Sequence, residues 1–315
     1  MACGPDLLVF GGHRPWPSTS GQGGANGSSI TLRIEIATGR VSELAVRPGL
    51  AAPPPRMNHV AAWDAAGQRM LLFGGTQNAL VAADLWALEF ATAVPRWRKV
   101  QTSGAPPPAR EFAAAAFDQV RRKWYVGFGQ GELALGSLKS DFFVLDAATN
   151  HWTQLSTSGP AARTGAAMAV DPSTGVVVLS GGLGAGGGVL GDLWSWDPEA
   201  AQPAWQPATA SPGPLAWHDF FPDLAPLVAT GGSSSQADVL QLTLGETASW
   251  ERLGVSPEPT RGFLAEAATV NGQGYVWVGE HTDALWRFEP QRRRWTRHSL
   301  SGAPAWLEGF SLVGR

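Results

Sequence analysis

Acid/base chemistry needs carboxylates and imidazoles brought together, and this chain offers six histidines, at 13, 59, 151, 218, 281 and 298. One run stands out, Trp217-His218-Asp219; with Glu111, Glu280, His281 and Glu308 it could make an acid/base or metal cluster if the fold gathers these residues. No HxH or HExxH spacing occurs, and the single cysteine, Cys3, cannot build a thiolate cage. No metal site and no cofactor are therefore expected. A satisfied, non-catalytic side chain is the favoured reading of each histidine, and His151 and His298 read as surface residues.

Binding chemistry is more plentiful. Arg56, Arg110, Arg163 and Arg261 each lie 18 or 19 residues before a glycine that closes an apolar run. Brought around one opening, four guanidinium groups would favour a carboxylate or an acidic peptide. Trp16, Phe112, Trp217, Phe263, Trp306 and Phe310 would suit stacking on a sugar ring, a planar ligand or a proline-rich peptide. Core packing explains these aromatics nearly as well. Arg14, Asn58 and His59 complete the candidate ligand-binding and partner-binding set.

The elements that must position these residues repeat. An apolar strand ending in glycine occurs six times, as in Leu7-Leu8-Val9-Phe10-Gly11-Gly12 and Met70-Leu71-Leu72-Phe73-Gly74-Gly75, with closing glycines at 11, 74, 129, 181, 231 and 279. The steps are 63, 55, 52, 50 and 48 residues. An acidic residue then opens an alternating strand, at Asp84, Asp141, Asp192, Asp238 and Asp283. A tryptophan follows at 97, 152, 205, 250 and 295, and in the first copy Val41 or Leu44 must fill its place. Between each tryptophan and the next glycine pair lie a proline-rich turn and a strand of small residues, such as Ala113-Ala114-Ala115-Ala116-Phe117. Runs of alanine usually argue helix, but these are short and bounded by turns on both sides, so the innermost strand of a sheet fits better.

A four-stranded sheet cannot bury both apolar faces alone, whereas radial stacking of such sheets buries every face. The Gly-Gly strand, the Asp-Leu-Trp strand start, the spaced tryptophan and the arginine after the proline turn resemble the kelch repeat, whose period is roughly 50 residues. The resemblance covers essentially the whole chain. It implies an all-β, six-bladed kelch-type propeller over residues 1–315, closed by pairing of the C-terminal strand with the N-terminal strand inside one blade. Blade one is expected over 305–315 plus 1–46, and blades two to six over 56–100, 110–155, 163–207, 216–253 and 261–300. Three copies depart from the pattern, with Gln130 and Glu280 in place of the second glycine and Thr230 before its pair.

The resemblance also implies a binding surface on one loop face and around the axial mouth, and commonly a structural arginine bonded to carbonyls or to the blade-opening aspartate. A binding or scaffolding module for a protein or peptide partner is the leading functional expectation. The alternative is a small-molecule enzyme of isomerase, lyase or cyclase type at the axial mouth. Copper-oxidase chemistry of the kelch-like kind needs a cross-linked Tyr–Cys pair, which Tyr125, Tyr275 and Cys3 are badly placed to supply. The glycine-rich segment His13 to Ser29 could serve as a lid or partner-binding arm; disorder with no role is the competing reading.

Composition excludes several classes. With 44% hydrophobic and 16% charged residues the chain can bury a large core. A formal net charge of −3 with scattered basic residues gives no nucleic-acid or anionic-membrane footprint; the cluster Arg292, Arg293, Arg294 reads as a solvated turn. Nowhere do 18 apolar residues run together and no leader is evident, so a soluble cytoplasmic or other intracellular location is expected if the chain is complete.

Overall fold

The computed structural model describes residues 6–13, 28–48, 51–78, 80–131, 137–156, 158–208, 213–232, 238–245, 247–255, 265–278, 284–304 and 308–315. It is an all-β propeller of six blades, each a four-stranded antiparallel sheet, with a short parallel strand, Ser103–Gly104, added on the outer edge of the third and a small separate hairpin, Thr76–Gln77 with Leu80–Val81, after the glycine strand of the second. The innermost strands, in ring order, are Glu308–Gly314, Val60–Asp64, Ala114–Asp118, Ala167–Val170, His218–Phe221 and Ala265–Val270. In blade one the C-terminal strand pairs antiparallel with Asp6–His13, with Leu8 opposite Val313 and His13 opposite Glu308. The alanine-bearing segments among the described residues are extended. No helix is long and apolar enough to cross a membrane among those residues.

Strand alternation explains how every face is covered. In blade one Leu7 and Val9 pack toward blade six, against Tyr275 and Trp277, while Leu8 and Phe10 pack toward blade two, against Met70 and Leu72. Successive side chains point to opposite faces, so one apolar strand feeds two seams. Equivalent clusters fill the other four seams. The blade tryptophans stand opposite the strand that the aspartate opens, as Trp97 opposite Leu88 and Trp152 opposite Leu145. In blade one Val41 takes that place opposite Ile34. The arginine cluster near the C-terminus forms an exposed turn over Pro290–Arg292, where Arg292 bonds Glu289 and Arg293 reaches Glu251 of blade five.

The glycine pairs couple neighbouring blades. Gly12, Gly75 and Gly129 donate their N–H groups to the carbonyls of Arg56, Arg110 and Arg163, at 2.8–2.9 Å. Gly74 has φ +72°, and a Cβ there would stand 2.6 Å from the Arg110 carbonyl oxygen, so a side chain is excluded by both backbone and contact.

Candidate functional site

The innermost strands enclose an axial channel of about 770 Å³, whose walls are largely alanine and other small residues. Its mouth is formed by segments that lead into those strands, and one position is unusual in each of the four such segments, in blades two to five, that lie among the described residues. Asn58, Phe112, Gly165 and Trp217 all have left-handed backbone, with φ of 59°, 50°, 61° and 60°. The Phe112 N–H donates to the Asn58 carbonyl at 3.0 Å and the Trp217 N–H to the Gly165 carbonyl at 2.8 Å, which fixes these positions as equivalents around the ring. A left-handed conformation costs a bulky L residue about 1–2 kcal/mol. Two of the largest side chains nevertheless occupy it. The rings of Phe112 and Trp217 meet edge to face at 5.0 Å, and both line the mouth.

The expected ring of arginines facing the mouth needs correction. Arg56, Arg110 and Arg163 are buried to 1% exposure or less and their guanidinium groups point into the blades. Each forms a two-pronged ion pair with a blade-opening aspartate: Arg56 with Asp84 at 2.6 and 3.0 Å, Arg110 with Asp141 at 2.8 and 2.9 Å, and Arg163 with Asp192 at 2.6 and 2.7 Å. Each also donates to a carbonyl at the end of the glycine strand. Burial pushes the Asp84 and Asp192 carboxyls up, but bonds from the arginine and from Trp86 or Trp194 outweigh it and hold both below the ordinary aspartate range. With a further bond from each Nε to the carbonyl two residues back, four of the five N–H donors of each guanidinium are engaged within the blades.

Blade five departs at a different residue from the one that counting back from its glycine suggests. Gly182 donates to the Leu215 carbonyl at 2.7 Å, so Leu215 takes the arginine's place and Trp217 corresponds to Phe112. Asp238, which opens the third strand of that blade, pairs instead with Arg252 on the neighbouring strand.

Glu111 also needs correction as a candidate acid or base. It is buried, and its carboxylate accepts bonds from the Asn58 amide at 3.0 Å, the Gln130 amide at 2.8 Å and the Thr76 hydroxyl. Gln130, in place of the usual second glycine, thus helps fix Glu111 between blades two and three. His59 and His218 occupy equivalent positions at the start of their innermost strands. Both are buried, and burial lowers them to about 3 and about 4, so both are neutral at physiological pH. Arg56 adds to the lowering at His59. Neither imidazole has a hydrogen-bond partner among the described residues. His59 lies edge-on to Phe10 across the seam, 5.5 Å between ring centres.

Asp219 behaves differently from every aspartate in the clamps. It lies on the channel wall, partly open to the channel and otherwise enclosed by protein, and burial pushes its carboxyl up to about 7 despite backbone bonds from Ala267 and Phe220. The Ala267 N–H donates to Asp219 Oδ2 at 3.1 Å across the seam to blade six. Beside it stands Glu266, on the same wall. Burial first, and then the neighbouring Asp219 charge, raise Glu266 well above the ordinary glutamate range. Among the described residues neither carboxyl meets a lysine or arginine in an ion pair. Sequence reasoning missed Glu266; the available signal was a lone glutamate inside the small-residue strand Ala265–Val270.

Of the remaining candidates, Arg14, Trp16, Arg261, Phe263, Glu280, His281 and Trp306 lie outside the described residues, as does most of the 13–29 segment. Glu308 is placed by its backbone at the start of the innermost strand of blade one, and its side chain is outside the described set. The structure therefore brings together Asn58, Phe112, Trp217, His218 and Asp219 around one channel, with Glu111 holding the mouth loops from behind.

Residues 1–221 match the KLHDC2/KLHL20/DRC7 Kelch-repeats domain. Among curated proteins the chain is 29% identical over 206 residues to Adagio-like protein 3 of Oryza sativa subsp. japonica, covering 60% of this chain and 32% of that one. It is 33% identical over 154 residues to Adagio-like protein 1 of the same organism, covering 47% and 23%. Adagio protein 3 of Arabidopsis thaliana is 26% identical over 255 residues, covering 75% and 40%. The chain thus spans well under half the length of these curated relatives.

Proposed function

The chain belongs to the KLHDC2/KLHL20/DRC7 kelch-repeat family, and from that premise we propose that it is a protein-recognition module whose axial mouth receives a segment of a partner protein. The observation that carries this reading is the Phe112–Trp217 pair. Two aromatic side chains are kept at positions where their own backbone is strained, at the rim of a channel large enough to admit a side chain. Strain of this kind persists where surrounding structure imposes it and tends to cluster at binding sites. Both rings are half-buried, and aromatic rings so placed offer large contact area at little entropic cost, the property that makes them binding anchors.

The test separates recognition from folding. Phe112→Gly and Trp217→Gly remove the rings and relieve the positive φ, so thermal stability should hold steady or fall only slightly, by about 1 kcal/mol or less. Peptides selected from a displayed random library on the unaltered protein should lose binding to the double variant. Selection of no peptide, or binding indifferent to both rings, would overturn the reading.

A second reading, a small-molecule enzyme at the same mouth, has Asp219 in its favour, since a carboxyl on the channel wall that titrates near 7 suits proton transfer. It requires that Asp219→Asn abolish turnover of a substrate while the aromatic variants mainly raise KM.

A further inference from the structure

We infer that the mouth reads the main chain of the inserted segment through two side-chain amides, Asn58 and Gln130, which the buried carboxylate of Glu111 holds in one orientation beside the Phe112 ring. This rests on the recognition reading above and specifies which groups of the segment are read. Both amides line the channel mouth and are half-buried, whereas Glu111 lies behind them at 1% exposure. Asn58 Nδ2 donates to Glu111 Oε2 at 3.0 Å and Gln130 Nε2 to Glu111 Oε1 at 2.8 Å, and the Thr76 hydroxyl also donates to Oε2.

A primary amide on its own can turn over and exchange its donor for its acceptor. A carboxylate only accepts, so it keeps the nitrogen of each amide toward itself and leaves the oxygen and second N–H of each to other partners. Among the described residues those remaining groups have none. The main chain around them is held as well: Glu111 and Gln130 exchange both backbone bonds, at 2.9 and 3.0 Å, and the Phe112 N–H donates to the Asn58 carbonyl. The mouth therefore offers two acceptor–donor faces of fixed polarity next to its aromatic rim.

This carboxylate is not a device that the repeat requires. The corresponding bridged pairs, Met57 with Thr76 in blade two and Thr164 with Leu183 in blade four, contain no carboxylate, and Ala216 takes the place of Glu111 in blade five. All three side-chain partners of Glu111 are neutral, and a carboxylate buried without a cation is costly unless its hydrogen bonds offset the loss of water. What the arrangement yields is the orientation of the two amides. Their nitrogens reach one carboxylate and so stand no more than about 8 Å apart. In an extended chain a residue turns its own N–H and C=O to the same side, and alternate residues, about 7 Å apart, repeat that side. One amide can thus take the N–H and C=O of one residue and the other amide those of the residue two further on, leaving the side chains to Phe112 and Trp217.

The test uses the peptides selected on the unaltered protein, resynthesised with each peptide bond in turn replaced by an ester, which keeps every side chain but removes one N–H. Fluorescence polarisation should show two positions, two residues apart, at which the ester weakens binding about fivefold, the loss of one hydrogen bond. One of those losses should disappear on Gln130→Ala and the other on Asn58→Gly, a change that suits the left-handed backbone at φ 59°. Glu111→Gln keeps the shape but lets both amides turn over, so it should weaken the unmodified peptides about tenfold and shrink both ester losses together. If Glu111→Gln does not fold, the ester scan on the two amide variants decides alone. Esters that bind as tightly as the amides at every position, or losses unchanged in Asn58→Gly and Gln130→Ala, overturn main-chain reading while leaving the recognition reading intact if binding still depends on Trp217. Binding indifferent to Phe112 and Trp217, or selection of no peptide, strikes at the recognition reading and overturns this inference with it.

Discussion

At the mouth, the arc of blades two to four and blade five treat charge in opposite ways. In the first, each entering segment has an arginine clamped on an aspartate, and the far ends of the blades are joined by further pairs: Arg122 of blade three to Asp64 of blade two, Arg69 to the Ala147 carbonyl and to Asn150, and Arg121 to Asp118 and to Glu199 of blade four. In blade five Leu215 replaces the arginine, and Asp219 lines the channel, as does Glu266 of blade six, without a cation among the described residues, although Arg293 and Glu251 still join the far ends of blades five and six. A repeat protein needs the same stabilising device at each seam, so charges that satisfy one another inside a blade serve the ring.

The sharpest way to break this comparison is to remove a clamp. Arg110→Ala leaves Asp141 without its cation and strands the Phe128 carbonyl, at a cost of about 3–5 kcal/mol, the range for breaking a buried pair from one side. Urea denaturation would show it as a lower midpoint. The double change Arg110→Leu/Asp141→Leu should recover much of that loss, because no lone charge remains. At the equivalent place in blade five, Leu215→Ala should cost about 2–3 kcal/mol through lost packing alone and should not change with salt. Equal and salt-insensitive effects in the two blades would show that the clamps act only as filler.

The second test uses pH, since the two arcs have opposite slopes. Asp64 is raised by burial but lowered more by its bonds to Arg122, Gly67 and Arg69, so its folded value lies below its unfolded one. Asp84 and Asp192 behave likewise. Stability from these groups is present above the unfolded aspartate range, near 4, and is lost as pH falls through their lower folded values. Asp219 runs the other way: its folded carboxyl titrates near 7, above the unfolded value, so its contribution is full below about 4 and is lost as pH rises through 7. Glu266 extends that loss upward. Melting temperature should therefore fall between pH 5 and 8, and the Asp219→Asn/Glu266→Gln protein should lack that fall, being more stable than the unaltered chain at pH 8 by about 2–4 kcal/mol. A flat profile in both proteins would mean that the pair is already neutralised.

What the sequence disclosed follows from the same contrast. The clamps, the tryptophan positions and the extended alanine strands were legible because they recur: Arg56, Arg110 and Arg163 announce one another by spacing, and so do Asp84, Asp141 and Asp192. The direction in which those arginines point was not, because a guanidinium at the mouth and one folded back onto an aspartate have the same spacing along the chain. Blade five obscured its own register, since fewer residues separate Leu215 from Gly231 than separate Arg163 from Gly181, and counting back from the glycine missed the equivalence of Phe112 and Trp217. Glu266 escaped notice because its meaning depends on Asp219 in another blade, and only the seam bond to Ala267 brings the two together.

The smallest expected effect probes the boundary between the arcs. Gly165 of blade four stands where Phe112 and Trp217 stand in their own blades, and it is bare because Trp217 lies on it: a Cβ at Gly165 would be 2.8 Å from the indole six-membered ring. Gly165→Ala should cost about 1 kcal/mol for the left-handed backbone at φ +61°, plus a small repacking loss as the indole is pushed off. Its effect on binding should exceed its effect on stability, because the ring it displaces is half of the Phe112–Trp217 pair. A change in melting temperature of only a few degrees, together with weakened binding of the peptides selected on the unaltered protein, would place the recognition surface where the regular arc makes room for the irregular one. If Gly165→Ala weakens neither, the indole's position over blade four is incidental, and the aromatic rim would have to act through Phe112 alone.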